Sequence, residues 1–427
     1  MSLLSKGRKG LLLLCCLTVM GSAAADPFIV GVATHSMNNP NQPLRSLELA
    51  SIAGVTSIRD DAFWSTAEPV RNQLRIVPQW RAWMSTAGGL NLTPMVILGY
   101  GSVFTGGAKP RKPEVKAPYL NYVDYITRQL GNPVKFYEVW NEWDIDGPGD
   151  ARLSSDYVAL VRDAAPIIHK NNPQAKVLAG AATTAGIKAG FIDRIVSGGV
   201  LKYADGISLH PYVHCEGRDH NTPESWINWM RGIDRSISTK AGKQVPLYLT
   251  EMSWPSHEGA CGIDSARQAA YLARSYFLAR TVPNIKGMWW YDLINDGTQR
   301  DDQEHNFGLL DINLNAKPAY PVLKAISPYL RNFTYDAAAS LQADNVYKLA
   351  FSDGREKIMV AWAVGRERLE SVGGSGMDNA QMRMLDTQKP DKGMVDSGQQ
   401  WSCNGDQCSV PVTLTEYPKI IRLSPGS

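Results

Sequence analysis

The sequence predicts an α/β fold, a (β/α)₈ TIM barrel followed by a small antiparallel β-domain. Strand-like and helix-like segments alternate from residue 28 to about residue 329, and beyond residue 335 the helical pattern stops. Eight such pairs in roughly 300 residues is the number and size of a closed barrel of parallel strands. The strands are short and apolar, which suits burial on both faces of a parallel barrel.

The elements follow from the spacing of apolar residues. Runs rich in β-branched and aromatic residues predict strands at 28–34, 56–59, 94–98, 135–140, 176–180, 206–210, 246–250 and 285–291. Apolar residues at helical spacing predict helices at 43–53, 78–87, 118–130, 155–171, 190–197, 223–239, 265–280 and 318–330. A doubly wound open sheet is the alternative, but no Gly-x-Gly-x-x-Gly fingerprint follows the first strand.

The C-terminal segment reads as a β-sandwich-like domain. Short strands between Asp, Gly and Ser turns are predicted at 345–351, 357–364, 381–385, 401–403, 408–412 and 419–423. The glycine-rich stretch 373–378 is predicted to be a mobile loop within this domain. We favour a structural brace over a sugar-binding module for the domain, because no exposed aromatic row is evident.

The N-terminus has the pattern of a secretory signal peptide. Lys6, Arg8 and Lys9 precede an apolar run at 11–20, which is too short to span a bilayer, and small residues end at Ala25. We expect cleavage after Ala25 and a secreted or periplasmic protein. This divides the chain into a signal peptide, a barrel and a β-domain at residues 1–25, 26–334 and 335–427.

Charge and cysteine content bear on the compartment of the protein and on its partners. Removing the three signal-peptide cations lowers the formal net charge from +3 to zero, which gives no support for nucleic acid or anionic membrane partners. Four cysteines remain, and an even number in an oxidising compartment predicts two disulfides. Cys403 and Cys408 flank the hairpin-type pair Asn404-Gly405, which leaves Cys215 to bond to Cys261. Zinc binding by the four is the alternative, but their spacing is not that of a zinc knuckle.

Two glutamates end predicted strands on opposite sides of the barrel. The fourth strand runs into Asn141-Glu142, and the seventh ends in Glu251. A buried carboxylate is costly unless it is used or paired, and active sites of (β/α)₈ barrels lie at the carboxyl ends of the strands. Glycoside hydrolysis requires two such acids across a cleft, one protonated and one ionised. The pair therefore predicts glycosidase chemistry rather than two structural salt bridges, with Asn141 holding the substrate beside Glu142.

These motifs resemble the signature of clan A, the large clan of retaining (β/α)₈ glycosidases. Within the clan, the chain is most similar to family 39 and to the related endoglycosidases encoded with exopolysaccharide synthesis genes. The resemblance implies that Glu142 is the general acid/base and Glu251 the nucleophile, with carboxyl groups about 5–5.5 Å apart. It also implies that Asn141 binds the sugar 2-hydroxyl.

The resemblance assigns further residues to the substrate site. Arg59, after strand two, matches an arginine near the nucleophile, whose fixed charge would keep that carboxylate ionised. His210 and Tyr212, after strand six, match residues that contact the nucleophile and the bound sugar.

An aromatic floor beneath the sugar is expected at the end of strand eight. The resemblance places Trp290 there, with Trp289 or Tyr291 as alternatives, because sequence does not determine which side chain points inward. Other tryptophans near strand ends are candidates for stacking against sugar rings: Trp64, Trp143 and Trp254.

The expected substrate is a carbohydrate polymer or oligosaccharide, and no cofactor or metal is expected. His210, His214, Cys215 and His220 are clustered, but a disulfide explains Cys215 and the active site explains His210. Two alternatives stay open. One is a non-catalytic polysaccharide-binding protein on a glycosidase scaffold, and the other is a β-glycosidase that trims small oligosaccharides from their ends.

Overall fold

The computed structural model describes residues 27–39, 44–217, 219–375 and 381–423. The predicted signal peptide lies outside these residues. Within the described part of the chain, no helix combines the length and apolar character needed to cross a membrane.

The described chain contains the predicted closed barrel of eight parallel strands, in chain order. The strands are β1 (Ile29–Ala33), β2 (Ser57–Phe63), β3 (Thr93–Gly99), β4 (Phe136–Val139), β5 (Lys176–Thr183), β6 (Gly206–His210), β7 (Leu247–Met252) and β8 (Ile285–Trp290). Pairing of β1 with β8 closes the barrel. Since all strands are parallel, their carboxyl ends open on one face, where the segments that follow them bring polar side chains together.

The helices alternate with these strands. They are α1 (Arg45–Ile52), α2 (Trp64–Ala67), α3 (Pro78–Gly89), α4 (Pro113–Leu130), α5 (Ala151–Asn171), α6 (Thr184–Lys188), α7 (Phe191–Ser197), α8 (Pro223–Ala241), α9 (Ser265–Ala279) and α10 (Ala319–Asn332). The start predicted for the third helix, Pro118, is wrong: the corresponding helix α4 begins at Pro113 and contains Pro118 in its interior. Both prolines suit the first turn, where a missing N–H costs nothing, and sequence alone did not separate them.

The C-terminal segment forms two antiparallel sheets. Its strands are β9 (Thr334–Ala343), β10 (Val346–Ser352), β11 (Lys357–Ala363), β12 (Arg368–Ser375), β13 (Gln381–Asp386), β14 (Val395–Gln400), β15 (Ser402–Asn404), β16 (Gln407–Leu414) and β17 (Lys419–Arg422). One sheet has the order β14-β13-β17-β11-β10-β9, and the other has the order β12-β16-β15.

Three of these strands, β9, β12 and β14, were not predicted. The predicted loop at 373–378 is wrong over Gly373–Ser375, which pair with β16 as the end of β12; residues 376–378 lie outside the described residues. A Cβ atom on Gly373 would lie 2.1 Å from the carbonyl oxygen of Cys408. Glycine here therefore permits a close approach of two strands rather than a flexible loop.

The larger sheet shares a core with the barrel. Alternate residues of β10 and β11, such as Phe351 and Val360, join the barrel core, while their neighbours Ala350 and Ala361 pack towards the smaller sheet. The ring of Phe351 lies 5.6 Å from that of Phe277 in α9. Both faces of the central strands β10 and β11 are thus buried, and the β-domain is packed directly onto the helices of the barrel.

Candidate active site

The chain turns sharply where β4 ends. Trp140 has a φ of 66° and Glu142 a φ of 47°, both in the left-handed region that costs free energy for residues other than glycine. The backbone N–H of Glu142 donates to the carbonyl oxygen of Ala181 at 3.1 Å, which holds this turn against the end of β5. Strained backbone of this kind is concentrated at functional sites. Here it places Asn141 and Glu142 at the mouth of the barrel.

Glu251 belongs to β7 and faces Glu142 across this mouth. It is 9% exposed. The Arg59 Nη1 atom donates to its Oε1 at 2.6 Å, and the Tyr212 hydroxyl donates to its Oε2 at 3.0 Å. Burial raises the pKa of the Glu251 carboxyl, but the electrostatic interactions with His210 and Arg59 outweigh this effect and lower that pKa below its ordinary value.

His210, the last residue of β6, lies between the two glutamates. Its Nδ1 atom is 3.0 Å from Glu142 Oε1 and 3.6 Å from Glu251 Oε2. Its Nε2 atom lies 3.3 Å from Arg59 Nη2, so the neutral ring fits this network with its proton on Nδ1. Burial lowers the pKa of His210, while the charge of Glu251 and the hydrogen bond to Glu142 raise it above the ordinary value overall.

The described ligand atoms of Glu142, His210 and Glu251 all lie within 4.8 Å of one another. Glu142 and Glu251, which are more than a hundred residues apart in sequence, therefore converge around one small volume. The structure also brings Arg59, Asn141 and Tyr212 to the same place.

Glu138 is a member of this network that sequence reasoning missed. It is fully buried in β4, where its Oε2 accepts from Arg59 Nε at 2.9 Å and from Arg59 Nη2 at 2.6 Å. Its Oε1 accepts from the Thr250 hydroxyl at 2.9 Å. A charged residue inside an otherwise apolar strand was the available signal. Glu138 holds the Arg59 guanidinium from the side opposite Glu251.

Asn141 is oriented by the same arginine. Its Oδ1 accepts from Arg59 Nη2 at 2.7 Å. This bond assigns the amide so that Nδ2 is the group left to donate. Asn141 also lines a cavity over these residues, so a hydroxyl group bound there can accept from Nδ2.

A cavity of about 330 Å³, the first cavity, lies over these residues. Its volume is at the lower end of the range typical of ligand pockets, about 300–1,000 Å³. Its lining includes Arg59, Asn141, Glu142, Tyr212, Glu251 and Tyr291. Several lining residues had no role in the substrate site assigned from sequence: His35, Asp60, Asp61, Tyr100, Gln303 and Glu304.

The aromatic side chain at the end of β8 differs from the one favoured from sequence. Trp290 is fully buried, its Nε1 donates to the carbonyl oxygen of Phe307 at 3.3 Å, and it does not line the first cavity. Tyr291 lines the cavity, as one of the two alternatives proposed. The other candidate tryptophans are also buried side chains rather than exposed platforms: Trp64, Trp143, Trp254 and Trp289.

A second cavity of about 960 Å³ adjoins the first. The two cavities share Tyr100, Asn141 and Glu142, whereas Glu251 lines only the first. The second cavity runs between the segment after β3 and the segment after β4, and it includes the exposed side chain of Ile145. Glu142 therefore stands at the junction of two spaces.

Both predicted disulfides are present. Cys215–Cys261 joins the segment after β6, which carries Tyr212, to the segment after β7. Cys403–Cys408 closes the β15–β16 hairpin. The first bond therefore ties the loop that carries Tyr212, which lines the first cavity, to the loop after β7.

Comparison with known proteins identifies the fold. No protein-family model and no curated protein sequence matches the chain. A family 39 glycoside hydrolase from the gut symbiont Bacteroides cellulosilyticus WH2 matches with a TM-score of 0.75 and 24% identity, over 93% of this chain and 81% of that one.

Two further solved structures match over nearly their whole length. A monomeric β-xylosidase from Caulobacter crescentus CB15 has a TM-score of 0.63 and 16% identity, over 94% of this chain and 98% of that one. A family 30 endoxylanase from Clostridium papyrosolvens C71 has a TM-score of 0.62 and 13% identity, over 93% and 96%. The chain thus has the fold of these glycoside hydrolases, a (β/α)₈ barrel followed by a β-domain.

Proposed function

We propose that this protein is a retaining glycoside hydrolase that cleaves O-glycosidic bonds of a polysaccharide or oligosaccharide. The observation that carries the proposal is the convergence of Glu142 and Glu251, whose carboxylate oxygens approach within 4.8 Å at the mouth of the barrel. Retaining enzymes place their two carboxyl groups about 5–5.5 Å apart, whereas inverting enzymes need roughly 6.5–9.5 Å to admit a water molecule.

The two glutamates have different surroundings, and these fit different roles. Glu251 receives hydrogen bonds from Arg59 and Tyr212 and has a lowered pKa, so it is the ionised group suited to attack the anomeric carbon. Glu142 touches no arginine in the described structure and stands at the junction of the two cavities. That position suits the group that gives a proton to the departing oxygen.

The proposed reaction has two steps. Glu251 attacks the anomeric carbon while Glu142 transfers its proton to the leaving oxygen, and a glycosyl ester forms on Glu251. Glu142, now a carboxylate, then takes a proton from water as that water attacks the anomeric carbon and releases Glu251 as a carboxylate. Asn141 Nδ2 would donate to the sugar 2-hydroxyl, a hydrogen bond that strengthens in the transition state. No cofactor is needed.

The two cavities support a direction for the bound glycan. Since the proton donor must lie beside the bond that breaks, the sugar ring attacked by Glu251 would occupy the first cavity and the leaving group the second. A space of about 960 Å³ on the leaving side supports leaving groups longer than one sugar. The substrate class we propose is a β-linked bacterial exopolysaccharide or plant-type glycan, met after export from the cytoplasm.

Substitution of each glutamate tests this function. Glu251→Ala should abolish turnover of any aryl glycoside or polymer that the wild type cleaves, and Glu142→Ala should regain activity on an activated aryl glycoside when azide is added. Retained turnover in Glu251→Ala would remove the assignment of the nucleophile. A protein that binds glycans without releasing new reducing ends would instead be the non-catalytic binding protein, and product sizes distinguish internal cleavage from trimming of chain ends.

A further inference from the structure

Three side chains with metal-ligating atoms meet beside the first cavity, apart from the two glutamates. His35 follows β1, and Asp292 and Asp296 follow β8. Their ligand atoms all lie within 4.8 Å of one another, and His35 Nδ1 is 2.8 Å from Asp296 Oδ1. The three residues therefore connect the segment after β1 to the segment after β8, and these are the two strands whose pairing closes the barrel.

Asp292 supplies an independent reason to expect a ligand here. It is only 2% exposed, and its Oδ1 has no hydrogen-bond partner among the described residues. Buried carboxylates are normally hydrogen-bonded, paired with a cation or coordinated to a metal. Lys317 is near enough to act on Asp292 electrostatically, but its Nζ donates to the carbonyl oxygen of Asn306 at 2.9 Å and to Asn295 Oδ1 at 3.3 Å. The His35–Asp296 ion pair thus leaves a third, buried ligand unpartnered.

We propose that His35, Asp292 and Asp296 bind one divalent cation of the first transition row. One imidazole nitrogen with two carboxylate oxygens is a mixed donor set that suits Mn²⁺ or Zn²⁺, whereas Ca²⁺ and Mg²⁺ prefer oxygen ligands throughout. The side chains of His35 and Asp296 are 30% and 27% exposed, so solvent reaches the site. A bound cation would hold the segment after β1 to the segment after β8 at the rim of the first cavity.

Ligand atoms of Glu142, His210 and Glu251 also lie within 4.8 Å of one another, but these three residues form a poorer cation site. Arg59 lies against Glu251 at 2.6 Å and within 3.3 Å of His210, so a second positive charge there would be repelled. By contrast, none of His35, Asp292 and Asp296 is hydrogen-bonded to an arginine or lysine in the described chain. The experiment has to distinguish the two positions.

Titration of the EDTA-treated mature protein with Mn²⁺ tests the proposal. Electron paramagnetic resonance measures the bound Mn²⁺, and the thermal unfolding midpoint measures the stability that binding adds. We expect one bound equivalent, a raised midpoint, and binding weakened about tenfold or more in Asp292→Asn. Glu251→Gln should bind Mn²⁺ as the wild type does. His35→Gln serves as a second variant should Asp292→Asn fold poorly.

Two outcomes would overturn the site. One is no saturable binding of either Mn²⁺ or Zn²⁺ at millimolar concentration, which would leave a plain His35–Asp296 ion pair. The other is binding that survives Asp292→Asn and disappears in Glu251→Gln, which would place the ion between the glutamates. Because the readouts are occupancy and stability, the result does not depend on whether the protein cleaves a glycan.

Discussion

The Arg59 Nη1 atom lies 2.6 Å from Glu251 Oε1, and the guanidinium of Arg59 is held from its other side by Glu138. One buried cation thus serves two buried carboxylates, and Glu138 has no exposed surface at all. Arginine suits this position because its planar fork donates in several fixed directions and stays charged when buried. The arrangement determines where Glu251 points and favours its ionised form.

Arg59→Met should move the acidic limb of the pH profile of kcat/KM to higher pH. The pKa of Glu251 is lowered in the folded protein, so activity that needs the carboxylate is lost as pH falls through that lowered value. Without the arginine the pKa rises, and we expect the limb to move by about one pH unit or more. Arg59→Lys keeps the charge and should leave the limb near the wild-type position while reducing the rate. An acidic limb that stays in place in Arg59→Met would contradict the role given to Arg59.

The same variant should also lose stability. Glu138 would be left buried without its cation, which typically costs about 3–5 kcal/mol. Glu138→Gln combined with Arg59→Met removes both charges and should recover part of this loss. The free energy of unfolding in denaturant measures both effects. A double variant that is no more stable than Arg59→Met alone would show that the lost stability came from packing.

Asp61→Asn should stabilise the protein at pH 8 and not at pH 4. Asp61 Oδ1 is buried without a hydrogen-bond partner, and burial together with repulsion by Asp60 raises the pKa of Asp61 to about 7. The unfolded carboxyl ionises near pH 4, so the cost of folding grows between about pH 4 and pH 7 and stays constant above. Removing that charge should add about 1–3 kcal/mol at pH 8, measured from unfolding at both pH values.

Asp60→Ala provides the contrast. Asp60 Oδ2 accepts from the Thr34 hydroxyl at 2.7 Å and from the backbone N–H of Met37 at 2.9 Å. Losing this acceptor should lower stability most at pH 4, because burial raises the pKa of Asp60 to about 6 and relief of its buried charge offsets part of the loss at pH 8. Asp61 lines the first cavity, so Asp61→Asn is also expected to lower activity, as stabilising changes at binding sites often do. Equal stability of Asp61→Asn and wild type at pH 8 would rule out an ionisation penalty at this residue.

The barrel and the two glutamates were predictable because they depend on local patterns. Short apolar runs ending in Asn141-Glu142 and in Glu251 carry their own signal, and the parallel arrangement brings those ends to one face of the barrel. The same holds for the hairpin disulfide, since the Asn404-Gly405 turn lies between its cysteines. Each of these inferences needed only neighbouring residues and the topology.

The misses depend on contacts between distant residues. Glu138 acquires its role from Arg59, 79 positions earlier in the chain. Trp290 and Tyr291 are neighbours whose side chains point to opposite sides of the end of β8. Trp289 lies in the barrel interior, and because side chains alternate along a strand, Trp290 points outward and Tyr291 points inward. β9 has an exposed, alanine-rich sequence of low strand propensity, and pairing with β10 makes it a strand.

The two disulfides should contribute unequally to stability. In the chain-entropy account, a bond that closes a longer loop removes more freedom from the unfolded chain. Cys215 and Cys261 are 46 residues apart and Cys403 and Cys408 only 5, which corresponds to about 4 and about 2 kcal/mol. Replacing each pair by serines and comparing unfolding in denaturant tests this order, and a larger loss from the hairpin pair would contradict it. The first pair should also affect activity, because its bond anchors the loop that carries Tyr212, a residue that lines the first cavity.

Ile145→Ser should weaken cleavage of long substrates without affecting short ones. Ile145 is 61% exposed and lines the second cavity, where the leaving part of the glycan is proposed to lie. Contact with a sugar face would bury part of this side chain, so its loss should raise KM about threefold to tenfold for oligosaccharides with several sugars on the leaving side. An aryl glycoside, whose small leaving group ends near Glu142, should be cleaved as by the wild type. Ile52→Ser is the matched control, since Ile52 is 56% exposed on α1 and lines neither cavity. If KM rose equally for the aryl glycoside and the oligosaccharide, Ile145 would stabilise the turn after β4 rather than contact the leaving group. The proposed direction of the glycan would then lose its support.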